Sequence, residues 1–315
     1  MKPPLIILAG PTAAGKTALS VTLAEQINGS VISADSMQVY RYMDIGSAKI
    51  RTEEMQNIPH YLIDELLPDE EFNIVLFQKL AKKYLAEIYA AGRIPILAGG
   101  TGFYIQSVLY NIDFSREKSS PAIRRELAEI AENEGTEALH KRLAKVDADS
   151  AQAIHPNNVK RIIRALEFYR QNGYPISKHN REERQKSSPY NFAYFVLTDD
   201  RKRLYAQIDK RVDLMMEQGL FDEVKRLKEM GCHKGMVSMQ GLGYKELLMH
   251  LNGEISLDEA VYRIKRDTRH FAKRQLTWFG RERDVNWLDK SAFGYDADAI
   301  AAEMLSVLKE KGIQT

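Results

Sequence analysis

Short apolar runs alternate with amphipathic stretches along the first third of the chain. Leu5-Ile6-Ile7-Leu8-Ala9 has no polar side chain, which predicts a buried parallel strand over 5–9. Leu19, Leu23 and Ile27 then recur at helical spacing and predict a helix over 17–27. Further short strands are predicted over 31–33, 60–63 and 94–98. A helix over 77–91 places Leu80, Tyr84 and Ile88 on one face and closes at Gly92. Such alternation implies a parallel sheet with helices on both faces. From about residue 116 the pattern changes. Helices are predicted over 121–133, 136–144 and 157–171, a polar loop over 178–189, and no strand before 192–197. Beyond it lie helices over 202–230, 240–251 and 257–279, a short strand over 285–288 and a final helix. The reading is an α/β core, 1–115 and 191–315, carrying a mainly helical insertion over 116–190.

Composition narrows the class. A chain of 315 residues can bury roughly 75% of its unfolded surface, so it needs no covalent staples. Cys232 is the only cysteine, which excludes an intrachain disulfide, and the seven histidines lack zinc-finger spacing. The apolar run near Met1 is too short for a signal peptide, and no membrane-length stretch follows. A reduced cytoplasm is the expected compartment. Lys and Arg total 45 against 43 Asp and Glu, which argues against a polycation but leaves local basic faces open.

The strand at 5–9 runs into Gly10-Pro11-Thr12-Ala13-Ala14-Gly15-Lys16-Thr17, which fits the phosphate-cradling spacing G-x-x-x-x-G-K-[ST]. Glycines let the backbone wrap an anion, and N–H groups at the new helix's start face its oxygens. Lys16 adds charge, and the Thr17 hydroxyl is suited to hold Mg²⁺. The motif predicts a diphosphate or triphosphate site on a P-loop NTPase-like fold.

Ligands of such sheets bind beyond the carboxyl ends of the strands, where Asp35 and Thr101 also fall. In Asp35-Ser36-Met37-Gln38, the carboxylate can be a metal ligand, a general base or a turn cap, and Gln38 can match an adenine edge. Thr101 brings a hydroxyl within Gly99-Gly100-Thr101-Gly102, a segment that can equally be a helix entry needing small residues. The strand at 94–98 ends in glycines where an ordinary P-loop ATPase has an Asp for Mg²⁺. Two helices have a basic side: Lys160, Arg161 and Arg164 on one, and Arg266, Arg269 and Lys273 on the other. Six basic residues and one acid lie between Arg263 and Arg274. Such faces can track a phosphate backbone or be ordinary solvated surface. The residues alone leave open a small-molecule kinase using ATP and an RNA-binding NTP switch.

The chain resembles the tRNA dimethylallyltransferase family in its bacterial form, without the zinc-finger extension of eukaryotic relatives. The resemblance is carried in order by Gly10 to Thr17, Asp35-Ser36-Met37-Gln38-Val39-Tyr40, Asp44-Ile45-Gly46-Ser47-Ala48-Lys49 and Gly99 to Tyr104. It continues through Asn158-Val159-Lys160-Arg161 with Arg164 to Glu167, Gln240 to Glu246, and Ala272 to Phe279. Ser47 replaces a frequent Thr, and Gly280 stands where the family usually has Arg, with Arg281 next.

The resemblance implies transfer of a dimethylallyl group from its diphosphate to N6 of the adenosine immediately 3′ of the anticodon, with Mg²⁺ as cofactor. It implies Asp35 as general base and Thr101 as a contact to the target nucleotide. Gly10, Thr12, Ala13, Ala14, Gly15, Lys16, Thr17 and Arg211 would hold the diphosphate, with Thr17 on the metal. The anticodon stem–loop would meet Asp35, Ser36, Met37, Gln38, Thr101, Arg124, Val159, Lys160, Arg161, Ile162, Ile163, Arg164, Arg266, Arg269 and Lys273. The enzyme is expected to be a monomer that touches no membrane. A cytokinin-type activity on free AMP or ATP fits less well, because of the insertion and the basic helix.

Overall fold

The computed structural model describes residues 2–115 and 120–313. The chain divides into two compact units, Met1–Leu109 with Pro189–Thr315, and Tyr110–Ser188. The start of the expected insertion at 116, and Ser119, lie outside the described residues.

The first unit opens with β1 (Pro4–Ala9), α1 (Lys16–Gln26), β2 (Gly29–Ser33), β3 (His60–Tyr61), α2 (Ile74–Ala90), β4 (Ile94–Gly99) and α3 (Gly102–Leu109). The second unit holds α4 (Pro121–Asn133), α5 (Thr136–Val146), α6 (Ala148–Ala153), α7 (Val159–Asn172) and α8 (Ile176–Gln185). The first unit resumes with β5 (Asn191–Thr198), α9 (Arg201–Glu217), α10 (Leu220–Glu229), α11 (Tyr244–Leu251), α12 (Leu257–Phe279), β6 (Val285–Asp289) and α13 (Ala297–Glu310).

Six strands form one parallel sheet in the order β3-β2-β4-β1-β5-β6. Apolar residues fill β1 because its two neighbours and both faces are covered: Leu5 through Ala9 are fully buried. On one face Ile6, Leu8, Ile96 and Phe195 pack with Leu19 and Leu23 of α1 and with Ile300 and Met304 of α13. Helices α2 and α3 contact β4 and bury Phe77, Ile88 and Ile105. The α/β class and the flanked parallel sheet are thus as the patterning predicts. Among the described residues no helix is long and apolar enough to cross a membrane.

Polar side chains cap several helix starts. The Asn73 side chain accepts from the N–H groups of Val75 and Leu76 at 3.0 and 3.1 Å, Asp200 caps α9, and Ser256 caps α12.

Five elements differ from the sequence reading. The helix expected over 202–230 is two, α9 and α10, separated at Gly219, whose φ of 97° no ordinary side chain favours. The expected 240–251 helix starts at Tyr244, after Gly243 with φ 94°. Residues 102–109 form a helix, the helix-entry alternative for the glycine-rich segment, and residues 148–153 are helical without having been predicted so. The polar loop expected over 178–189 is mostly α8. That helix is polar in sequence but buries His179 and Glu183, and the His179 ring lies 5.2 Å from that of Phe168 on α7. The core of this second unit is Leu127, Leu139, Leu143, Ile162 and Leu166.

Candidate active site

The loop between β1 and α1 is shaped by left-handed backbone. Gly10, Ala13 and Gly15 have φ of 148°, 64° and 93°. A Cβ on Gly10 would lie 2.7 Å from the Leu197 carbonyl oxygen on β5, so only glycine fits there. Gly15 precedes the first residue of α1, and the first turn of that helix holds no acidic side chain that would compete for its N–H groups. Lys16 is half-buried and its Nζ donates to the Pro11 carbonyl at 2.8 Å. Thr17 is exposed at the helix start. Sequence and backbone therefore give an anion cradle at the carboxyl end of the central strand.

The loop after β2 approaches the cradle from one side. Asp35 Oδ1 accepts from the Met37 N–H at 2.8 Å, capping its own turn, and Oδ2 accepts no hydrogen bond from a described residue. The turn-cap and open-carboxylate readings both describe this residue. Gln38 is engaged within the protein: its Oε1 accepts from Ser33 Oγ at 2.8 Å, and its Nε2 makes long contacts of 3.5 and 3.4 Å to the Ser47 and Ala48 carbonyls. After β4, the Thr101 N–H donates to the Ala34 carbonyl at 3.2 Å, tying the two strand-end loops together.

Asp35, Ser36, Met37, Thr101, Thr12, Ala13 and Arg211 share the lining of one cavity of about 500 Å³. Its other wall is largely apolar, with Ile208, Val212, Met215, Leu220, Ile264 and Phe271. A smaller chamber of about 140 Å³ adjoins the same loop and is lined by Lys16, Thr17, Asp35, Gln38 and Arg211. Burial lowers the Lys16 ammonium to about 8; the Arg211 charge adds to that effect and the Asp35 charge opposes it. Burial also lowers Arg211, again against the pull of Asp35. Two desolvated cations facing one carboxylate form a site that gains when a further anion arrives.

Three residues around this cavity had no functional reading in the sequence. Gln275, buried on α12, accepts from the Thr12 N–H and donates to the Gly100 carbonyl, both at 2.9 Å. It therefore joins the phosphate cradle to the Thr101 loop, and it takes the N–H of Thr12, one of the residues expected to hold the diphosphate. The signal was present: a glutamine on the inward face of an amphipathic helix needs buried partners. Lys290 donates to the Ala14 carbonyl at 3.1 Å. It directly follows β6, and the strand-end rule that singled out Asp35 applies to it as well. Glu223 on α10 is buried and accepts from the N–H groups of Asp44, Ile45 and Gly46 at 3.0, 2.8 and 3.1 Å, and from the Tyr244 hydroxyl at 2.7 Å. It fixes the loop whose Gly46, Ser47 and Ala48 line the cavity.

The residues expected on the RNA side divide. Lys160 and Arg161 are exposed on α7. Ile162 is fully buried in the core of the second unit, with Val159 and Ile163 packed against that core, so the Ile162 side chain is corrected from RNA contact to packing. Arg124 and Arg164 both meet the buried Glu167, at 3.0 and 3.4 Å. Arg269 is ion-paired with Asp209, and Arg266 with Asp267 at 2.8 Å. Their charge is thus largely matched within the protein. Lys273 is exposed.

A metal would find few acidic ligands. No group of three or more His, Cys, Asp or Glu converges among the described residues. Mg²⁺ usually takes one or two protein oxygens, with substrate phosphates and water completing its shell. The Thr17 hydroxyl beside the cradle fits that pattern.

The model of the family "IPP transferase" matches residues 38–282. A tRNA dimethylallyltransferase of Lachnoclostridium phytofermentans is 58% identical over 98% of this chain and 99% of that protein. Among solved structures, a full-length tRNA isopentenylpyrophosphate transferase from Bacillus halodurans is 43% identical with a TM-score of 0.74, covering 99% of this chain and 98% of its own. A eukaryotic dimethylallyltransferase acting on tRNA has a TM-score of 0.83 at 29% identity, covering 99% of this chain and 79% of its own.

Proposed function

The chain belongs to the IPP transferase family and is an enzyme of the tRNA dimethylallyltransferase class, and from that premise we propose how its residues divide the reaction. The enzyme transfers a dimethylallyl group to N6 of an adenosine beside the anticodon of tRNA. The observation that supports the division of labour is the single cavity shared by Asp35, Thr101, Arg211 and the phosphate loop, with an apolar wall opposite.

On this reading the donor's diphosphate lies against Gly10, Ala13, Ala14, Gly15, Lys16, Thr17 and Arg211, and the Thr12 hydroxyl stays available. The allylic C–O bond breaks, and the electron pair leaves with diphosphate. Lys16, Arg211 and the amides at the start of α1 oppose the growing negative charge. The Thr17 hydroxyl would hold Mg²⁺, which would supply charge neutralisation of the leaving diphosphate. The apolar wall accepts the five-carbon group and excludes water from the allylic carbon. N6 of adenine is a weak nucleophile because its lone pair is conjugated into the ring. A C–N bond forms as the N6 proton passes to the open Oδ2 of Asp35. Thr101 and Gln38 hold the nucleotide, which has been extruded from its stack. A contact from Gln38 to the base exchanges its long bonds to Ser47 and Ala48 for new ones. Ser36 and Met37 border the same entrance, while Lys160 and Arg161 bring charge from the second unit to the RNA. On this reading the enzyme acts as a monomer in the cytoplasm.

Incubation with radiolabelled dimethylallyl diphosphate, Mg²⁺ and tRNA, AMP or ATP tests the reading. Label is expected in tRNA alone. Label in AMP, or ATP turnover without RNA, overturns it.

A further inference from the structure

A trans peptide unit sets its C=O and the following N–H on opposite edges of one plane. Whatever holds the carbonyl therefore aims the N–H. In the Pro11–Thr12 unit of the phosphate loop both ends are taken by the protein. The carbonyl accepts from Lys16 Nζ at 2.8 Å, and the N–H donates to Gln275 Oε1 at 2.9 Å. The Ala14–Gly15 unit differs. Its carbonyl accepts from Lys290 Nζ at 3.1 Å, while the Gly15 N–H has no acceptor among the described residues. That N–H immediately precedes the first residue of α1, in the stretch suited to an anion. An added Cβ on Gly15 would lie 3.6 Å from the same Nζ, so the ammonium rests against this one peptide unit.

The sheet delivers Lys290 to that carbonyl. β6 ends at Asp289, in register with Thr198 of β5, and β1 lies on the far side of β5. The side chain must therefore reach across a strand, about 10 Å from β6 to β1 at ordinary strand spacing. Its backbone is fixed at both ends of a single turn, Lys290–Phe293. Asp289 Oδ1 accepts from the Ser291 N–H at 3.0 Å and from its hydroxyl at 2.8 Å. The Tyr295 N–H donates to the Lys290 carbonyl at 2.9 Å. The ammonium is half-buried and has no carboxylate partner among the described residues. Its aromatic neighbour is Tyr295, with the ring centroid 6.0 Å away. Asp199, beside that ring, is already engaged by the Tyr295 hydroxyl at 3.3 Å and by Arg203 at 3.7 Å. The charge of Lys290 is thus left to the phosphate loop.

We propose that Lys290 is a positioning residue for the leaving diphosphate: by holding the Ala14 carbonyl it turns the Gly15 N–H toward the anion. This rests on the reading of the phosphate loop as the diphosphate site. A charged donor at one end of an amide also makes the other end a stronger donor, because linked hydrogen bonds polarise one another. The effect grows as negative charge builds on the departing oxygens, so Lys290 acts on turnover more than on capture of the donor. When the diphosphate draws Lys16 away from Pro11, Lys290 still holds the loop.

The test compares Lys290→Met, which keeps the stem without the charge, with Lys290→Arg, which keeps a charged donor. In Lys290→Met, affinity for inorganic diphosphate with Mg²⁺, read by titration calorimetry, should fall about tenfold, as loss of one charge-assisted hydrogen bond gives. The single-turnover rate on saturating tRNA should fall about 10–100-fold, less than outright loss of an oxyanion donor costs. KM for the dimethylallyl donor should change by less than about threefold, since the interaction is made mainly in the transition state. Affinity for tRNA should be unchanged, and Lys290→Arg should recover most of both losses. With glycine amides isotope-labelled for NMR, diphosphate should move the Gly15 amide proton downfield in the parent and far less in Lys290→Met. Unchanged diphosphate affinity in Lys290→Met, an equal loss in Lys290→Arg, or a Gly15 response that survives removal of Lys290 would each overturn the assignment. A parent enzyme whose Gly15 amide ignores diphosphate sinks the reading of the loop instead.

Discussion

Gln275 and Gly100 form a testable pair, since one side chain explains the absence of the other. The Gln275 amide makes two 2.9 Å bonds to backbone groups of different loops. A Cβ on Gly100 would stand 2.1 Å from its Nε2, and the next nearest atom is the Gln275 Cδ at 3.3 Å. Gln275→Ala leaves a Thr12 N–H and a Gly100 carbonyl without partners, each costing about 1–3 kcal/mol, so about 2–6 kcal/mol together. Gly100→Ala must expel the same amide, so it loses the same two bonds and adds strain. The double variant loses them once and has no clash. It should therefore be about 2 kcal/mol or more stable than the sum of the single changes indicates, a coupling typical of residues in contact. Urea unfolding of the four proteins measures this term. Turnover on tRNA should show the same pattern, because the clamp sets the distance between the donor and acceptor loops. Additivity within about 0.5 kcal/mol would refute the argument, since independent sites behave that way.

Asp35→Ala should bind tRNA nearly as well as the parent and lose about 10²–10⁴ of turnover, as loss of a general base does, and near-normal single-turnover rates would remove it from that role. Lys16 gives a pH signature: its proton is held below about 8 in the free enzyme, and an arriving diphosphate raises that value. Donor binding therefore takes up a proton above that pH. The Kd should be flat below it and weaken by up to about tenfold per pH unit above it, whereas Lys16→Arg should abolish the slope. Titration calorimetry in buffers of different ionisation enthalpy reads the proton uptake, and none at pH values above the free-enzyme value would be the contrary result. Glu223→Gln replaces one accepting oxygen by an N–H₂ group facing N–H donors, at a cost of about 1.5–3 kcal/mol for each charged hydrogen bond lost. Amide exchange at Asp44, Ile45 and Gly46 should quicken, and unaltered protection there would show that another contact holds the loop.

What could be read from the sequence followed its local signals. A short unbroken apolar run such as Leu5 to Ala9, closed by a glycine, reads as a strand buried on both faces, and strand-end polar residues such as Asp35 and Thr101 share one crevice once that sheet exists. Contacts between distant segments were not legible. The periodicity of α12 placed Arg269 on a basic stripe, but its partner Asp209 lies on another helix, and only packing brings the two together. The α8 segment looked like a loop because its charged side chains obscure the two residues it buries. Ile162 entered the RNA list with the basic residues around it, though the same helical spacing puts it on the apolar side of α7. Glu223 had no motif of its own, since its role depends on three backbone N–H groups from a loop far earlier in the chain.

The strand order bears on synthesis at the ribosome. β1 is made first, but one of its two partners, β5, begins at Asn191, beyond the entire second unit. Until that stretch emerges, Leu5 to Leu8 present an unzipped apolar edge, of the kind that seeds aggregation. The nascent chain is therefore exposed longest at its oldest segment, and a chaperone shielding the first residues would protect the yield of enzyme more than its final stability.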